Sequence, residues 1–555
     1  MSIEYFVEGK VVTQTEGNQF NFSKGSIAHN SLVNVNQKGT ATGVSFNVPN
    51  EIHPDDKPVN IIDVSLNVFF DGTQNNKTNT ESGISSSSSN GKDSYANDYS
   101  NIARGYDAID TSSKADKQAA VYIEGIGTVD GKRDTNKMYS DYPNNIGSPL
   151  GMGDRGIEAK VTKGCLDAGE ALGKKFKGKN IDILNINVYG FSRGAAAARH
   201  FVHIATKPVI AVAVAGQKYV INPPKIFERS KEDEDSGKND KQNIDITDPS
   251  DPLLLNHGYF GACLIKNGIK ADKVVFNFIG LYDTVASFGV NHKGFGIFID
   301  SDAEQLKLNA VTKANFVVQL SSADEYRENF SLTDISSVGI NGLEFTLPGV
   351  HSDIGGSYLD GDTENSFIYN GTSDDCEKMK VILIDEGWFK NDQLYIFKIE
   401  KSVGVEKLGI DYNYSTKYEL RGKRALSNHY DRIPLTLIFH YSTHFDVMYN
   451  PDRITEDYTI TDGTIQSVYS QLLPYINKCH DSRKRNNSGQ NYRNELNNIS
   501  YLSELDASSD LLKLLRNKYL HWSVNIGSGP DSSGMGPHVS KVATFDKRKR
   551  FIIPG

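Results

Sequence analysis

Four short apolar runs constrain this chain more than anything else in it: DVSLNVFF (63–70), IDILNINVY (181–189), VVFNFIGLY (274–282) and LEFTLPGV (343–350). Each is rich in β-branched or aromatic residues and reads as a buried strand. Each runs straight into a polar turn of small residues: DGTQNN, GFSRGAAAA, DTVASFG and HSDIGG. Strands that are apolar on both faces need cover on both, and parallel sheets flanked by helices supply it. Between them, Ile157, Val161, Cys165, Ala168 and Leu172 recur at helical spacing within 154–176. The expected fold is therefore α/β, a mostly parallel sheet with helices on both faces. Ligands of such sheets sit beyond the carboxyl ends of the strands. Those ends carry Asp71, Ser192, Asp283 and His351.

The rest of the 555 residues is read as extensions and insertions around that core. Residues 1–58 are polar and mixed, an N-terminal extension for delivery or docking. Residues 59–360 form the catalytic core, with a charged insertion near 225–258 (the stretch KEDEDSGKNDK lies inside it). Residues 361–425 form an inserted β-rich segment, on the strength of QLYIFKIEK and YELRGKRAL. Residues 426–555 complete or cap the core. The Ser-rich stretch within 81–100 is expected to be a flexible surface loop, and 497–518 a helix. VIAVAVAG (209–216) is expected to be core, with an acyl groove or lid as the functional alternative. KRKR (547–550) is expected to be a solvated tail, although a basic run beside FIIPG also suits anionic headgroups.

A net charge of −9 argues against a broad nucleic-acid surface. The four cysteines lie far apart with no CxxC pair, which argues against a disulfide scaffold and a thiolate zinc site. MSIEYFVEGK has no basic region followed by an apolar stretch, and no apolar run approaches the roughly 20 residues that span a bilayer. A product made in the cytoplasm without a signal peptide is expected, so that action elsewhere requires a dedicated export machine.

Gly190-Phe191-Ser192-Arg193-Gly194 matches G-x-S-x-G, with an apolar strand before it and the small-residue helix AAAARHFVHIAT after it. The pattern describes a sharp strand-to-helix turn that exposes a strained serine hydroxyl at a helix N-terminus, where partial positive charge favours an oxyanion. This makes Ser192 the expected nucleophile of an α/β-hydrolase-like core. A serine needs a base, and the base an orienting acid, in the chain order Ser, acid, His. Asp283 and His351 satisfy the order at strand ends. Asp353 and His444 also satisfy it and stand as the alternative acid and base, while His521 is expected to pack in the C-terminal core. The oxyanion hole is expected from the Arg193 amide and an amide of Gly72 or Thr73. Asp71 reads as a residue that ties down its loop.

FFDGTQNN, YIEGIGT (122–128), GFSRGAAAAR, GLYDTVAS, DEYRENF (324–330) and GVHSDIGGSY follow one another in an order that resembles the DUF2235 family of α/β-hydrolases, which includes the Tle1-like phospholipase effectors of type VI secretion. The resemblance spans about 63–360, with weaker echoes in HYSTHFDVMYNP and YLHWSVN. It implies a serine phospholipase A that acts on phospholipid at a membrane surface. It also implies secretion into a target cell by way of a type VI spike or tube protein, and neutralisation at home by a cognate immunity protein. The family's nucleophile, acid and base fall on Ser192, Asp283 and His351.

GMGDRG (151–156) matches G-x-G-x-x-G but follows no strand, so a dinucleotide site is not expected. Asp71 and Asp353 offer oxygen ligands of the kind calcium takes, yet no metal or other cofactor is expected. Two other readings use the same sequence: a serine esterase or thioesterase on a non-lipid ester, and a catalytically inactive hydrolase-fold adaptor.

Overall fold

A computed structural model describes residues 61–85, 94–112, 115–134, 153–209, 212–214, 218–237, 242–286, 304–327, 330–402, 414–485, 495–496, 498–506, 509–522 and 550–555. The expected N-terminal extension lies outside the described residues. Six strands form the central sheet: β1 (Ile61–Phe70), β2 (Gln118–Ile123), β3 (Asn180–Phe191), β4 (Lys270–Tyr282), β5 (Phe316–Ser322) and β6 (Gly342–Leu347). Their spatial order is β6-β5-β4-β3-β1-β2 and every pairing is parallel. β1 to β2 runs toward one edge; from β3 the chain steps toward the other. The order therefore reverses between β1 and β3, the kind of place where open α/β sheets take their ligands.

The two faces of the sheet are filled by strand alternation. β1 sends Val64, Leu66, Val68 and Phe70 to one core and Phe69 to the other. On the first face lie α1 (Ile157–Phe176), α2 (Arg193–Ile204) and α3 (Pro252–Lys266), packed through residues such as Val161, Leu172, Phe201 and Phe260. Each such buried side chain contributes about 1.5–3 kcal/mol. Ala195, Ala196, Ala197 and Ala198 of α2 are wholly buried, and their small side chains let that helix lie close on the strands. The second face is covered by α4 (Arg432–Thr443) and α5 (Gly463–Arg485), through Ile433, Leu437, Val468 and Leu472.

Beyond the central sheet, strands Thr363–Gly371, Leu394–Ser402 and Tyr414–Ala425 form an antiparallel sheet with the last in the middle. Ile368, Leu394 and Leu420 bury one side of it with Cys376, Met379 and Leu383 of the helix Ser373–Asp385, in the same core as the second face. Residues 212–214 of the VIAVAVAG run pair with Lys218–Ile221, which pairs with Ile244–Ile246.

One local expectation falls mostly outside the described residues, and one is corrected. Within 81–100, helix Lys77–Ser85 continues to residue 85, and Ser94 is buried with its hydroxyl and amide on Asp134, while 86–93 lie outside the described residues. A Ser-rich composition hid those anchors, because they come from a residue forty positions away. Residues 497–518 are not one helix. A single turn, Tyr501–Ser503, precedes helix Asp510–Lys518, which starts anew where the Ser509 hydroxyl accepts from the Leu512 amide. A serine able to cap competes with helix continuation.

Candidate active site

β3 ends at Phe191 and α2 starts at Arg193, so the whole strand-to-helix reversal falls on Ser192. Its backbone takes φ 59° and ψ −128°, an arrangement that costs a non-glycine residue on the order of 1–3 kcal/mol. Two close approaches require the flanking glycines. A Cβ at Gly190 would lie 2.5 Å from the Ala195 Cα, and one at Gly194 would lie 2.1 Å from the Asp71 carbonyl oxygen. The elbow is thus pressed between the start of its own helix and the end of β1. It is also tied to β4: the Ser192 amide donates to the Tyr282 carbonyl (3.0 Å), and the Val285 amide donates to the Ser192 carbonyl (3.3 Å).

Asp283 follows β4 directly, in a left-handed backbone conformation (φ 45°), and its side chain is fully buried. His351 begins the short helix His351–Gly355 just past β6. Its Nδ1 lies 2.5 Å from Asp283 Oδ2. A carboxylate only accepts, so Nδ1 carries the proton and Nε2 is left as the basic nitrogen. The imidazole is held between Phe191, whose ring centroid is 4.7 Å away, and Phe330 at 4.9 Å. The structure thereby brings Asp283 and His351 together, and Phe191, the residue before Ser192, packs on the same imidazole. Burial pushes the His351 imidazole below its ordinary range, with Asp283 pulling the other way.

The loop after β1 flanks the elbow on its other side. Arg193 Nε donates to Thr73 Oγ1 at 2.8 Å, bridging the elbow to this loop. Asp71 shapes the loop. It accepts from the Gly72 amide (2.7 Å), the Ser100 hydroxyl (2.6 Å) and the Tyr122 hydroxyl (2.6 Å). The Gly72 amide is therefore committed to Asp71, while the Thr73 amide donates to no group among the described residues. Burial raises the Asp71 carboxyl to about 6 even though all three donors oppose the shift. The YIEGIGT stretch buttresses the same loop, with the Gly125 amide on the Asn75 carbonyl (2.8 Å) and the Gln74 amide on the Ile126 carbonyl (3.1 Å).

Asp353 and His444 are not brought together. Asp353 accepts from the Val350 amide (2.9 Å), the His521 amide (3.1 Å) and His521 Nδ1 (2.7 Å). His444 sits exposed past the end of α4, its Nδ1 on the His440 carbonyl.

Two groups escaped the sequence reading. Glu325, wholly buried, accepts from the His351 amide (3.2 Å) and from both the backbone and the guanidinium of Arg327. It lies in DEYRENF, a stretch whose place among the ordered motifs was legible but whose task was not. Arg550 is the last residue of KRKR and overturns the expectation of a solvated tail at that position; 547–549 lie outside the described residues. Its guanidinium is buried on Asp283, Nη1 to Oδ1 at 2.5 Å and Nη2 to Oδ2 at 2.8 Å.

The family model described as "T6SS, Phospholipase effector Tle1-like, catalytic domain" matches residues 65–375, more than half of the chain. No curated protein sequence matches. Among solved structures, the Tle1 effector bound to the VgrG spike from the Type 6 secretion system is similar at 18% identity. That match covers 91% of this chain and 98% of that one, with a TM-score of 0.49. An uncharacterized protein from Pseudomonas aeruginosa is similar at 17% identity over 78% of this chain and 52% of that one, with a TM-score of 0.33. The matched span opens inside β1 and takes in the serine elbow, the Asp283–His351 pair and the loops that hold them, and the chain belongs to the Tle1-like phospholipase effectors of type VI secretion.

Proposed function

We infer that the chain is a serine-dependent phospholipase A that hydrolyses carboxylic esters of membrane phospholipids as an antibacterial toxin. The observation that carries this reading is the 2.5 Å pairing of His351 Nδ1 with Asp283, packed against the residue next to a strained serine elbow at the sheet's switch point. In this mechanism the Ser192 hydroxyl attacks the acyl carbonyl while His351 Nε2 takes its proton. Asp283 fixes the imidazole tautomer and stabilises the imidazolium that forms. The oxyanion is met by the Arg193 amide and the Thr73 amide, with the N-terminus of α2 behind them. Of the two loop donors, Thr73 is favoured because the Gly72 amide is already given to Asp71. His351 then returns its proton to the departing lysolipid oxygen, and water, activated by the same imidazole, releases the fatty acid from Ser192.

In this reading 59–360 is the catalytic part, 361–425 an insert and 426–555 the segment that completes it. Export on a type VI spike or tube protein and a cognate immunity protein in the producing cell complete the proposal. Mass spectrometry of lipids released from mixed bacterial phospholipid vesicles tests it. Wild type should yield lysophospholipid and free fatty acid, and Ser192→Ala neither, with an unchanged thermal melt. Equal release by both would end the proposal. Labelling of Ser192 by a fluorophosphonate without lipid release would move the substrate to another ester.

A further inference from the structure

The contacts of Arg550 exceed what a structural anchor needs. Its guanidinium forms a two-pronged pair with both oxygens of Asp283, the same Oδ2 that receives His351 Nδ1. Nη1 also reaches the Ser322 hydroxyl (2.8 Å), and Nε the Phe330 carbonyl (2.9 Å). Ser322 in turn donates its amide to Asp283 Oδ1 (2.9 Å) and its hydroxyl to Oδ2 (3.0 Å). A planar fork on a carboxylate fixes the plane of that carboxylate as well as its charge.

The backbone around Arg550 is built to hold it there. Ile552–Ile553 pairs in parallel with Leu332–Thr333, and the Leu332 amide donates to the Phe551 carbonyl at 2.9 Å. Leu332 also bridges Val285, and the Thr333 amide donates to the Thr284 carbonyl. Three extended segments thus lie side by side, the first of them immediately after Asp283 and the last immediately after Arg550.

We propose that Arg550 is a positioning residue for the hydrolytic centre: it holds Asp283 anionic and turned toward His351, and so sets the rate and the acid limit of the Ser192 reaction from a segment 267 positions further along the chain. This rests on the reading of Ser192, Asp283 and His351 as a triad. Three charged groups bear on the imidazole directly, Asp283 from the end of β4 and Glu325 and Arg327 from the loop after β5, while Arg550 from the last described segment bears on Asp283 and Glu325. With the Arg550 charge removed, two consequences point the same way. Asp283 becomes easier to protonate, and where it stays ionised its uncompensated charge favours the imidazolium. Both move the acid limb of kcat/KM to higher pH.

The test uses the full chain on phosphatidylethanolamine/phosphatidylglycerol vesicles, with wild type, Ser192→Ala, Arg550→Gln and Arg550→Lys. Rates are normalised to the folded fraction from near-UV circular dichroism. Arg550→Gln should lose about 10- to 100-fold in kcat with little change in KM, the scale of a lost hydrogen-bonded charge. Its acid limb should move up by about one pH unit. Arg550→Lys keeps the charge without the fork. It should restore the wild-type limb and leave kcat between the other two. A folded Arg550→Gln with wild-type kcat and limb, or one changed only in folded fraction, overturns the proposal. If Arg550→Gln does not fold, Arg550→Lys decides alone: a reduced kcat at an unmoved limb supports positioning, and a wild-type kcat defeats it. Ser192→Ala separates the two levels, since activity in that variant would defeat the triad itself and this inference with it.

Discussion

Asp71 and Asp283 make an instructive pair. Both directly follow strands of the same parallel sheet, both are almost wholly buried, and both accept several hydrogen bonds. Yet burial carries the Asp71 carboxyl up to about 6, while Asp283 is held well below the usual carboxylate range. Burial favours the neutral form of each; the difference lies in the partners. Asp71 meets two hydroxyls and an amide, which bring dipoles and no charge. Asp283 meets a guanidinium and an imidazole, and the Arg550 charge together with the His351 hydrogen bond outweighs desolvation. At this rim of the sheet a buried carboxyl becomes a fixed anion only where a cation is brought to it. Asp71 organises a loop, and Asp283 holds the His351 imidazole, which in the proposed mechanism is the base.

The sharpest way to break this comparison is to remove the charge from each in turn. Asp283→Asn should lower kcat by about four orders of magnitude, because a carboxamide no longer selects the Nδ1–H tautomer of His351. Asp71→Asn should stay within about tenfold of wild type, since that position organises through hydrogen bonds and not through charge. Phospholipid hydrolysis by folded protein measures both, and equal losses would erase the distinction. In wild type, kcat/KM should fall on acidification through a value below 6.5, because burial depresses His351.

Stability against pH separates the two carboxyls by sign. Asp71 has a raised folded pKa, so its contribution is full below its unfolded value of 3.8 and is lost as pH rises through about 6. Asp283 has a depressed one, so its contribution is present above 3.8 and is lost as pH falls further. Urea unfolding between pH 4 and pH 7, a window set by the Asp71 values, should therefore show a wild-type decline that Asp71→Asn flattens. The same variant curve lying parallel to wild type would remove Asp71 from the argument. The smallest expected effect belongs to Tyr122→Phe, which removes one donor to Asp71. A loss of about 1 kcal/mol is anticipated in the same unfolding assay.

Much of this was legible in the residues, for identifiable reasons. The four apolar runs announce β1, β3, β4 and β6 because strands buried on both faces are apolar throughout. The elbow is legible because a close approach of backbones leaves room only for glycine at 190 and 194. β5 was missed for the opposite reason. FVVQLSS is fully buried yet half polar: Gln319 accepts from Thr284, and Ser322 serves Asp283, so its composition answers to the site and not to the core. β2 was missed because QAAVYI, at the sheet's edge, is short and opens on a glutamine and two alanines, which carry little strand signal. The partnership of Arg550 with Asp283 leaves no local trace. A basic residue in a basic run looks solvated until the chain is folded and a carboxylate lies within reach.

That long sequence separation also orders events in time. Ribosomes emit residue 283 long before residue 550, so on this reading a nascent polypeptide can carry serine, aspartate and histidine while the counter-charge for the aspartate has yet to be translated. Full hydrolytic power would then switch on only once synthesis has run past position 550, giving a cell that manufactures a membrane-damaging enzyme an interval in which an inhibitor can reach it first.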